Sequence, residues 1–384
     1  MQLTDQEKQR IRDEVSKLSL REHFYNASCM LLADVDTDKI PVDVFASFYV
    51  VVSQYLQKGV KIAFGSGFKD IRHSFFLVKG SRTGKGVLYF VTRTFAEAIN
   101  LKVCKRTRLS DAGIFGTIDE KAITYNYKHK LVEGNPDYKD PVIIGDLGNY
   151  DIIFFVECSQ FLRVESPYIE NVLTILQEAS DDGGHISGKL RNIYEIDYHS
   201  TASIWCSTYY MKEIVEALVD RGYFQRNPPY IRDLNIEENI NLRHQIIDLY
   251  KTNPKKATIF QYKINLLAER IKTINNSRNM YLSEEAIKQL HRTLDSINLN
   301  VSRTSGTKLK LLQSFSQTAL DICVRIGAIH ACIRDNYTTT IEVSDLVPAQ
   351  VFVRSMFDTI FNKIEIIEKQ TEVYKMTKYA LNLF

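Results

Sequence analysis

Apolar residues recur with different periods along this chain and divide it into three parts. In residues 1–60 they recur at helical spacing, as in Phe45, Phe48 and Val52, which predicts a short helical N-terminal segment. Residues 61–235 carry short apolar runs separated by glycine-containing turns and helical stretches. Residues 236–384 are mostly helical in pattern. The chain therefore predicts an α/β core between two helical parts.

The central part holds the apolar runs that we interpret as strands: Phe75–Val78, Val142–Ile144, Ile152–Val156 and Ala202–Cys206. Helical stretches separate them, which is typical of a layered α/β core with a largely parallel sheet. Further helices are predicted over 266–274, 283–297, 309–335 and 349–383. The last of these carries an apolar stripe that packs within the chain or binds a partner.

Charge and composition narrow the classes of protein. The chain has 384 residues, with 49 Lys and Arg against 46 Asp and Glu and a net charge of +3. This balance excludes a diffusely basic nucleic-acid coat, so any polyanion must be bound by a local patch. No apolar run approaches the roughly 18 residues of a membrane span, which predicts a cytoplasmic protein without a membrane partner. The six cysteines form no CxxC pair and are interpreted as reduced thiols, the alternatives being a disulfide or zinc framework.

One glycine-rich segment has the context of a phosphate-binding loop. Residues 75–88 (FFLVKGSRTGKGVL) comprise an apolar strand, a turn and an amphipathic stretch. Backbone N–H groups of such a turn bind phosphate oxygens, and a lysine at the helix start reaches the β- and γ-phosphates. The candidate nucleotide-binding residues are Gly80, Ser81, Arg82, Thr83, Gly84, Lys85 and Gly86. Lys79 replaces the first glycine of the motif and Gly86 its Mg²⁺-binding hydroxyl, so an ordinary turn with a solvated lysine is the alternative.

Two later strands end in groups that suit ATP chemistry. Glu157 follows Ile152–Val156, where a carboxylate can hold Mg²⁺ or polarise the attacking water. Ser207 and Thr208 follow the next strand and can position a water or a phosphate oxygen. Arg226 precedes the double proline, where it is either a solvated helix-end residue or an arginine that reaches into a neighbouring subunit's site.

The order of further segments resembles the AAA+ ATPase core, specifically the MCM-like branch with a hairpin before sensor 1. The segments are 108–116 (RLSDAGIFG), 144–151 (IGDLGNYD), 175–179 (ILQEA), 184–190 (GHISGKL) and 222–226 (GYFQR) with Arg232-Asp233. In the C-terminal part, 324–331 (VRIGAIHA) and 341–346 (IEVSDL) are similar to the family's helical lid. The resemblance implies an AAA+ core over 61–235, a helical segment over 1–60 and a helical lid over 236–384.

The same resemblance implies a homo-hexameric, ATP- and Mg²⁺-dependent translocase or helicase that acts on DNA in a central pore. Lys85 would hold phosphates, and Glu157 would serve the catalytic and metal-binding role of the acidic strand. Thr208 or Ser207 would be sensor 1 and Arg226 the arginine finger. Lys189 would lie near the tip of the hairpin and contact DNA.

Two basic regions are candidate DNA contacts. Gly183, Gly184 and Gly188 can turn a hairpin on which Lys189 and Arg191 supply charge for phosphate contacts, or are ordinary solvated residues. The segment 121–139 interleaves aromatic residues with Lys128 and Lys130, which suits contact with a single strand. An exposed β-hairpin would show the same composition.

Departures from the family pattern leave two rival functions. The atypical loop and the single acid of the second strand favour slow turnover or a site that binds ATP without hydrolysing it. No sensor-2 residue is assigned among Arg303, Lys308 and Lys310. The missing zinc element and short N-terminal part favour a minimal motor from a mobile element, plasmid or virus. The rivals are an AAA+ ATPase that remodels or loads a partner protein, and a non-hydrolysing scaffold.

Overall fold

The computed structural model describes residues 3–31, 41–80, 84–106, 111–158, 167–180, 184–190, 194–208, 227, 229–232, 240, 244, 254–302 and 306–360. Its helices are α1 Asp5–Ser16, α2 Leu20–Ser28, α3 Val42–Leu56, α4 Lys85–Ala98, α5 Asp111–Ile114, α6 Glu120–His129, α7 Asp146–Asn149, α8 Pro167–Ser180, α9 Pro254–Lys272, α10 Glu284–Ser302, α11 Gly306–Arg334 and α12 343–360. None of these described helices is both long and apolar enough to cross a bilayer.

The strands are β1 Val60–Phe64, β2 Gly67–Asp70, β3 Phe75–Lys79, β4 Val103–Arg106, β5 Gly116–Ile118, β6 Val142–Ile144, β7 Ile152–Phe155, β8 His185–Leu190, β9 Tyr194–His199, β10 Ser203–Thr208, β11 Pro229–Arg232, β12 Arg278–Leu282 and β13 Thr340–Ile341. Five of them form a parallel sheet in the order β11-β3-β10-β7-β4. The chain is therefore an α/β protein with a parallel sheet, as its pattern predicted.

The three central strands of this sheet are the ones that the sequence identified. Every residue of β3, β7 and β10 is buried, and strands covered on both faces read as continuous apolar runs. The edge strand β4 is half-exposed and polar in sequence, so its composition gave no strand signal. The predicted strand Val142–Ile144 exists as β6, but its assignment to the parallel sheet was wrong because it pairs antiparallel with β5.

The strand order creates a crevice at the carboxyl edge of the sheet. The connection from β3 to β4 runs in one direction along the sheet, and the connections β4 to β7, β7 to β10 and β10 to β11 run in the other. Because such crossovers are right-handed, the first lies on one face, and the described parts of the connections β4 to β7 and β7 to β10 lie on the opposite face. The strand order therefore reverses its direction between β3 and its neighbour β10, and ligands bind at such a reversal in open α/β sheets.

Helix α3 lies at the centre of the molecule. Nearly all of its side chains are buried, and it packs against β3, β10, α4 and α11. The Trp205 indole donates to the Ser47 hydroxyl (3.0 Å), and the Gln54 amide donates to the Thr201 carbonyl (2.8 Å). Since Gln54 lies at the amino end of β10, α3 runs antiparallel to the strands and begins at their carboxyl edge.

A second, mixed sheet joins the start of the central part to the C-terminal part. Its order is β13-β12-β1-β2, with β1 parallel to β12 and antiparallel to β2. The C-terminal part is mostly helical, as its pattern predicted, but it also contributes β12 and β13. These strands are short, and we did not predict them from their few apolar residues.

Two antiparallel strand pairs lie beside each other next to the main sheet. One is the hairpin β8–β9, which immediately precedes β10 and was predicted; the other is β5–β6. The Tyr198 hydroxyl donates to the Phe115 carbonyl (2.9 Å) between the pairs. The prediction that Gly188 turns the hairpin was wrong, because Gly188 pairs with Ile196 within the strands and leaves room for the Phe115 ring.

At the amino edge of the sheet, buried charged side chains connect α11 to the core through hydrogen bonds and ion pairs. Arg72 donates to the Asp70 carboxylate (2.8 Å) and to the carbonyl oxygens of Ala179 and Ser200. Arg325 of α11 donates to Asp70 (3.2 Å) and to the Arg72 carbonyl (2.7 Å). Arg72 and Arg325 border a cavity of about 280 Å³. Because these charged side chains are paired with one another, we interpret their role as stabilising the contact between α11 and the amino edge of the sheet.

Candidate nucleotide site

The phosphate-loop candidate connects β3 to α4 at the carboxyl edge. Gly84 precedes α4 with φ 85°, a left-handed conformation that glycine adopts without steric cost. The Val87 and Leu88 amides already donate to the Gly84 carbonyl. The N-terminal end of a helix carries partial positive charge and favours an anion. Gly86 has open space around its Cα, and Gly80 lies directly after β3.

Lys85 is held over the end of β3. Its ammonium donates to the Lys79 carbonyl (3.0 Å). Burial lowers the pKa of Lys85, and the negative charge of Glu157 partly opposes that effect. The structure thus brings Lys85 within electrostatic reach of Glu157, although β3 and β7 are not neighbours in the sheet. A half-buried ammonium that donates to a backbone carbonyl can donate to a phosphate oxygen at the helix start instead, with little rearrangement.

Glu157 and Thr208 form a direct pair across the ends of β7 and β10. The Thr208 hydroxyl donates to Glu157 Oε1 (3.0 Å). The two chain segments continue to bond past the strands, since the Cys158 amide donates to the Ser207 carbonyl (2.9 Å) and the Ser207 hydroxyl donates to the Val156 carbonyl (2.5 Å). The Ser207 hydroxyl therefore bonds to the backbone, and the Thr208 hydroxyl is the one that bonds to the Glu157 carboxylate.

The donor set is compatible with the Mg²⁺ that the resemblance implies. Magnesium in nucleotide sites is typically held by one or two carboxylates together with phosphate oxygens and waters. Glu157 supplies one carboxylate at the right edge of the sheet. Within the described ranges no group of three or more His, Cys, Asp or Glu side chains converges.

A buried ion cluster that we did not predict from the sequence lies on the other side of the loop. Asp43 in the first turn of α3 accepts from Lys79 (3.3 Å) and forms an ion pair with Arg232 of β11 (3.7 Å). Lys79 and Arg232 are register partners in the sheet. A lone Asp in the apolar stretch of α3, with a Lys at a glycine position of the loop, was the available signal.

The hairpin places Lys189 close to its tip. Lys189 pairs with Glu195 in the strand register, next to the last described pair, and its side chain is 62% exposed. The Lys189 ammonium and the Glu195 carboxylate are 4.0 Å apart. At the base of the hairpin, Gly184 has φ 51°, and a side chain there would collide with the Ser200 carbonyl. This glycine therefore fixes how the hairpin leaves the sheet.

The basic segment 121–139 contains a helix. It lies between β5 and β6 and consists of α6 and a loop, so the β-hairpin alternative for this segment was wrong. Lys128 and Lys130 are exposed at the carboxyl end of α6. Burial raises the pKa of Tyr138, and Glu133 and Tyr194 add to the effect. Because β5 contacts β8 and β6 contacts β9, the segment leaves a strand pair that packs beside the hairpin β8–β9.

The remaining predicted residues Ser81, Arg82, Thr83, Arg191 and Arg226 lie outside the described residues, as does the Arg303 side chain together with those of Lys308 and Lys310. Arg232, which the resemblance grouped with the arginine-finger element, is in β11 and pairs with Asp43 of its own chain. No protein-family model matches the chain. No curated protein matches it either.

Proposed function

We propose that this protein binds and hydrolyses ATP at the carboxyl edge of its parallel sheet, as an AAA+ ATPase of the MCM-like branch. The observation that carries the proposal is the convergence of Lys85, Glu157 and Thr208 at the crevice between β3 and β10. Glu157 and Thr208 lie at the ends of two neighbouring strands and Lys85 at the start of α4, and each offers a group that phosphoryl transfer needs.

The geometry assigns a task to each residue. Lys85 and the α4 N-terminus bind the phosphates and favour the negative charge that develops on them. Glu157 orients the attacking water and accepts its proton. Thr208 donates to Glu157 and so directs the other carboxylate oxygen toward the water. The alternative task of Glu157 is to hold a bound Mg²⁺, which would neutralise phosphate charge.

ATP turnover by the full chain tests this proposal. Wild-type protein should hydrolyse ATP, and Lys85→Ala should lose at least about 100-fold, because one preorganised cation at the transferred phosphate is worth that much. Lys102→Ala, an exposed lysine after α4, is the matched control and should keep wild-type turnover. Equal rates for wild type and Lys85→Ala would contradict the assignment. ATP binding without turnover would favour the non-hydrolysing scaffold.

The action on DNA is the finer part of the proposal. A homo-hexameric translocase would line its pore with the exposed Lys189 and with Lys128 and Lys130 of the adjacent segment, so a few cations per subunit would suffice despite the net charge of +3. Lys189→Ala should then abolish the stimulation of ATP turnover by single-stranded DNA. Lys17→Ala is the control. Symmetric particles with six subunits are expected in the presence of ATP and DNA.

One observation favours the rival function, an AAA+ ATPase that remodels a partner protein. Strand β9 places the exposed acids Glu195 and Asp197 opposite Lys189 and Ser187. A hairpin of mixed charge suits a protein partner as well as a phosphate backbone. If Lys189→Ala leaves DNA-stimulated turnover unchanged while Lys85→Ala removes basal turnover, the remodelling function is the better one.

A further inference from the structure

The ion cluster of Asp43, Lys79 and Arg232 has no role in the chemistry proposed above. Asp43 and Lys79 are almost fully buried, and the Arg232 side chain is 12% exposed. Burial raises the pKa of Asp43, but the charges of Lys79 and Arg232 outweigh it and hold the pKa below its usual range. The carboxylate is therefore ionised, and Lys79 and Arg232 both pair with it beside the first residue of the loop.

The strand order places this cluster and the catalytic pair on opposite sides of β3. Glu157 and Thr208 belong to β7 and β10, whereas Arg232 ends β11 on the other flank of β3. If the terminal phosphate lies beside Glu157 and the phosphate chain crosses the loop after β3, the rest of the nucleotide extends toward β11 and the start of α3. This step rests on the proposed function.

We infer that Arg232 contacts the nucleoside end of the bound nucleotide and contributes to its selection. Its guanidinium is the most exposed charged group of the cluster, and a planar guanidinium can stack on a base or donate to ribose oxygens. Asp43 fixes its position. Lys79 holds Asp43 in place, which gives a reason for a lysine where the phosphate-loop motif has glycine: its side chain leaves the loop and anchors α3.

Comparison of ATP with inorganic tripolyphosphate tests the assignment, because tripolyphosphate lacks the nucleoside. Calorimetric affinities would be measured for wild type, Arg232→Gln, Arg232→Lys and Lys85→Ala, each with a thermal melt. Arg232→Gln should weaken ATP binding about tenfold and change tripolyphosphate binding less than twofold. Lys85→Ala should weaken both ligands. Unchanged tripolyphosphate binding shows at the same time that the variant is folded.

Arg232→Lys keeps an ion pair with Asp43 but loses the planar fork, so it should also weaken ATP selectively. If Arg232→Gln does not fold, the comparison of ATP with tripolyphosphate binding by Arg232→Lys tests the assignment instead. Equal weakening of both ligands, or no weakening of ATP, overturns the role of Arg232 and leaves the proposed function standing. Wild-type protein that binds neither ligand overturns both.

Discussion

At the scale of single residues, the candidate site depends on one hydrogen bond between neighbouring strand ends. Thr208 donates to Glu157 at 3.0 Å, while the adjacent Ser207 is committed to a backbone carbonyl. The pair is held by the parallel register of β7 and β10, which aligns Cys206 with Phe155. A carboxylate fixed by a donor on one oxygen presents its other oxygen in a defined direction.

Thr208→Val removes this donor and preserves the shape of the side chain. We expect ATP turnover to fall about 10- to 100-fold, since a misdirected base loses part of the gain from general acid–base catalysis. ATP affinity should change less than about twofold, because Thr208 does not bind the phosphates in this scheme. Steady-state kinetics and calorimetry separate the two effects.

Thr124→Val on the exposed face of α6 is the control for that substitution. Its hydroxyl bonds only to the Glu120 carbonyl of the preceding turn, so turnover should be unchanged. A Thr208→Val protein that is as active as wild type would mean that Thr208 does not orient Glu157 for catalysis.

The sequence predicted part of this site and not the rest, for a physical reason. Lys85, Glu157 and Thr208 each follow a continuous apolar run, and the carboxyl ends of parallel strands meet at one edge, so local pattern was sufficient to find them. The Asp43–Arg232 contact joins the start of α3 to the end of β11. Such a contact depends on which strands are neighbours, and the pattern of a single strand does not contain that information.

At the scale of elements, the buried ion pairs between α11 and the amino edge of the sheet are expected to contribute to the free energy of unfolding. Asp70→Asn would leave Arg72 and Arg325 without their shared anion. We expect a loss of about 3–5 kcal/mol in the free energy of unfolding, the usual cost of breaking a buried pair. Urea unfolding measures it. Asp358→Asn removes half of an exposed pair with Arg354 and should cost less than about 1 kcal/mol.

The same carboxylate adds an acid-pH signature. Burial alone would raise the pKa of Asp70, but the charges of Arg72 and Arg325 have the larger, opposite effect and hold this pKa below its ordinary value. Its contribution is therefore complete above an unfolded pKa of about 3.9 and is lost as the pH falls through the lower folded value. Asp70→Asn should flatten this acid limb. An acid limb as steep as that of wild type would contradict the ion-pair assignment.

The exposed segment around α6 allows a direct test of its predicted contact with nucleic acid. Lys128→Ala with Lys130→Ala should weaken binding to single-stranded DNA and reduce the slope of log affinity against log salt by about 1.4, since each lost phosphate contact removes about 0.7. Lys8→Ala with Lys17→Ala in the α1 region is the control of equal charge. An unchanged slope would mean that Lys128 and Lys130 are solvated and do not contact the DNA phosphates.

Elements were predictable where burial was uniform. The buried strands β3, β7 and β10 have continuous apolar sequences, whereas β4 is polar because it is a half-exposed edge. Val142–Ile144 was recognised as a strand but grouped with the parallel sheet, whereas it pairs antiparallel with β5, because three residues do not specify pairing. The alternation of basic and aromatic residues in 121–139 described an exposed surface correctly without distinguishing a helix from a hairpin.

At the scale of the whole molecule, one interior unites the N-terminal helices, the parallel sheet and the C-terminal helices. Residues of α2, α3, β3, β10, α9 and α11 belong to a single hydrophobic cluster. Polar groups enclosed in such an interior must be neutral or paired. Two histidines fall in this class: His23 and His73 are buried, and the Nε2 atom of each has no hydrogen-bond partner among the described residues.

These two histidines predict that the whole fold loses stability in mild acid. Burial is the main cause that lowers the pKa of His23 to about 4 and that of His73 to about 3, and nearby arginines add to it. The unfolded chain takes up these protons near pH 6.5 while the folded protein does not, so stability falls as the pH drops below that value. Below about pH 6.5 each of these two histidines lowers the free energy of unfolding by about 1.4 kcal/mol per pH unit. Together they therefore lower it by about 4 kcal/mol between pH 7 and pH 5.

Urea unfolding at pH 7, 6 and 5 measures this loss, and the slope with pH is more informative than the absolute stability. His23→Gln with His73→Gln should reduce the slope even if the double variant is less stable at pH 7, because glutamine does not titrate. His330, whose pKa burial lowers to about 4, still contributes to the slope of the variant. His291→Gln, an exposed histidine of α10, should leave the slope unchanged. A wild-type stability that is constant from pH 7 to pH 5 would mean that both imidazoles can be protonated without unfolding, and that the interior around α3 is open to water.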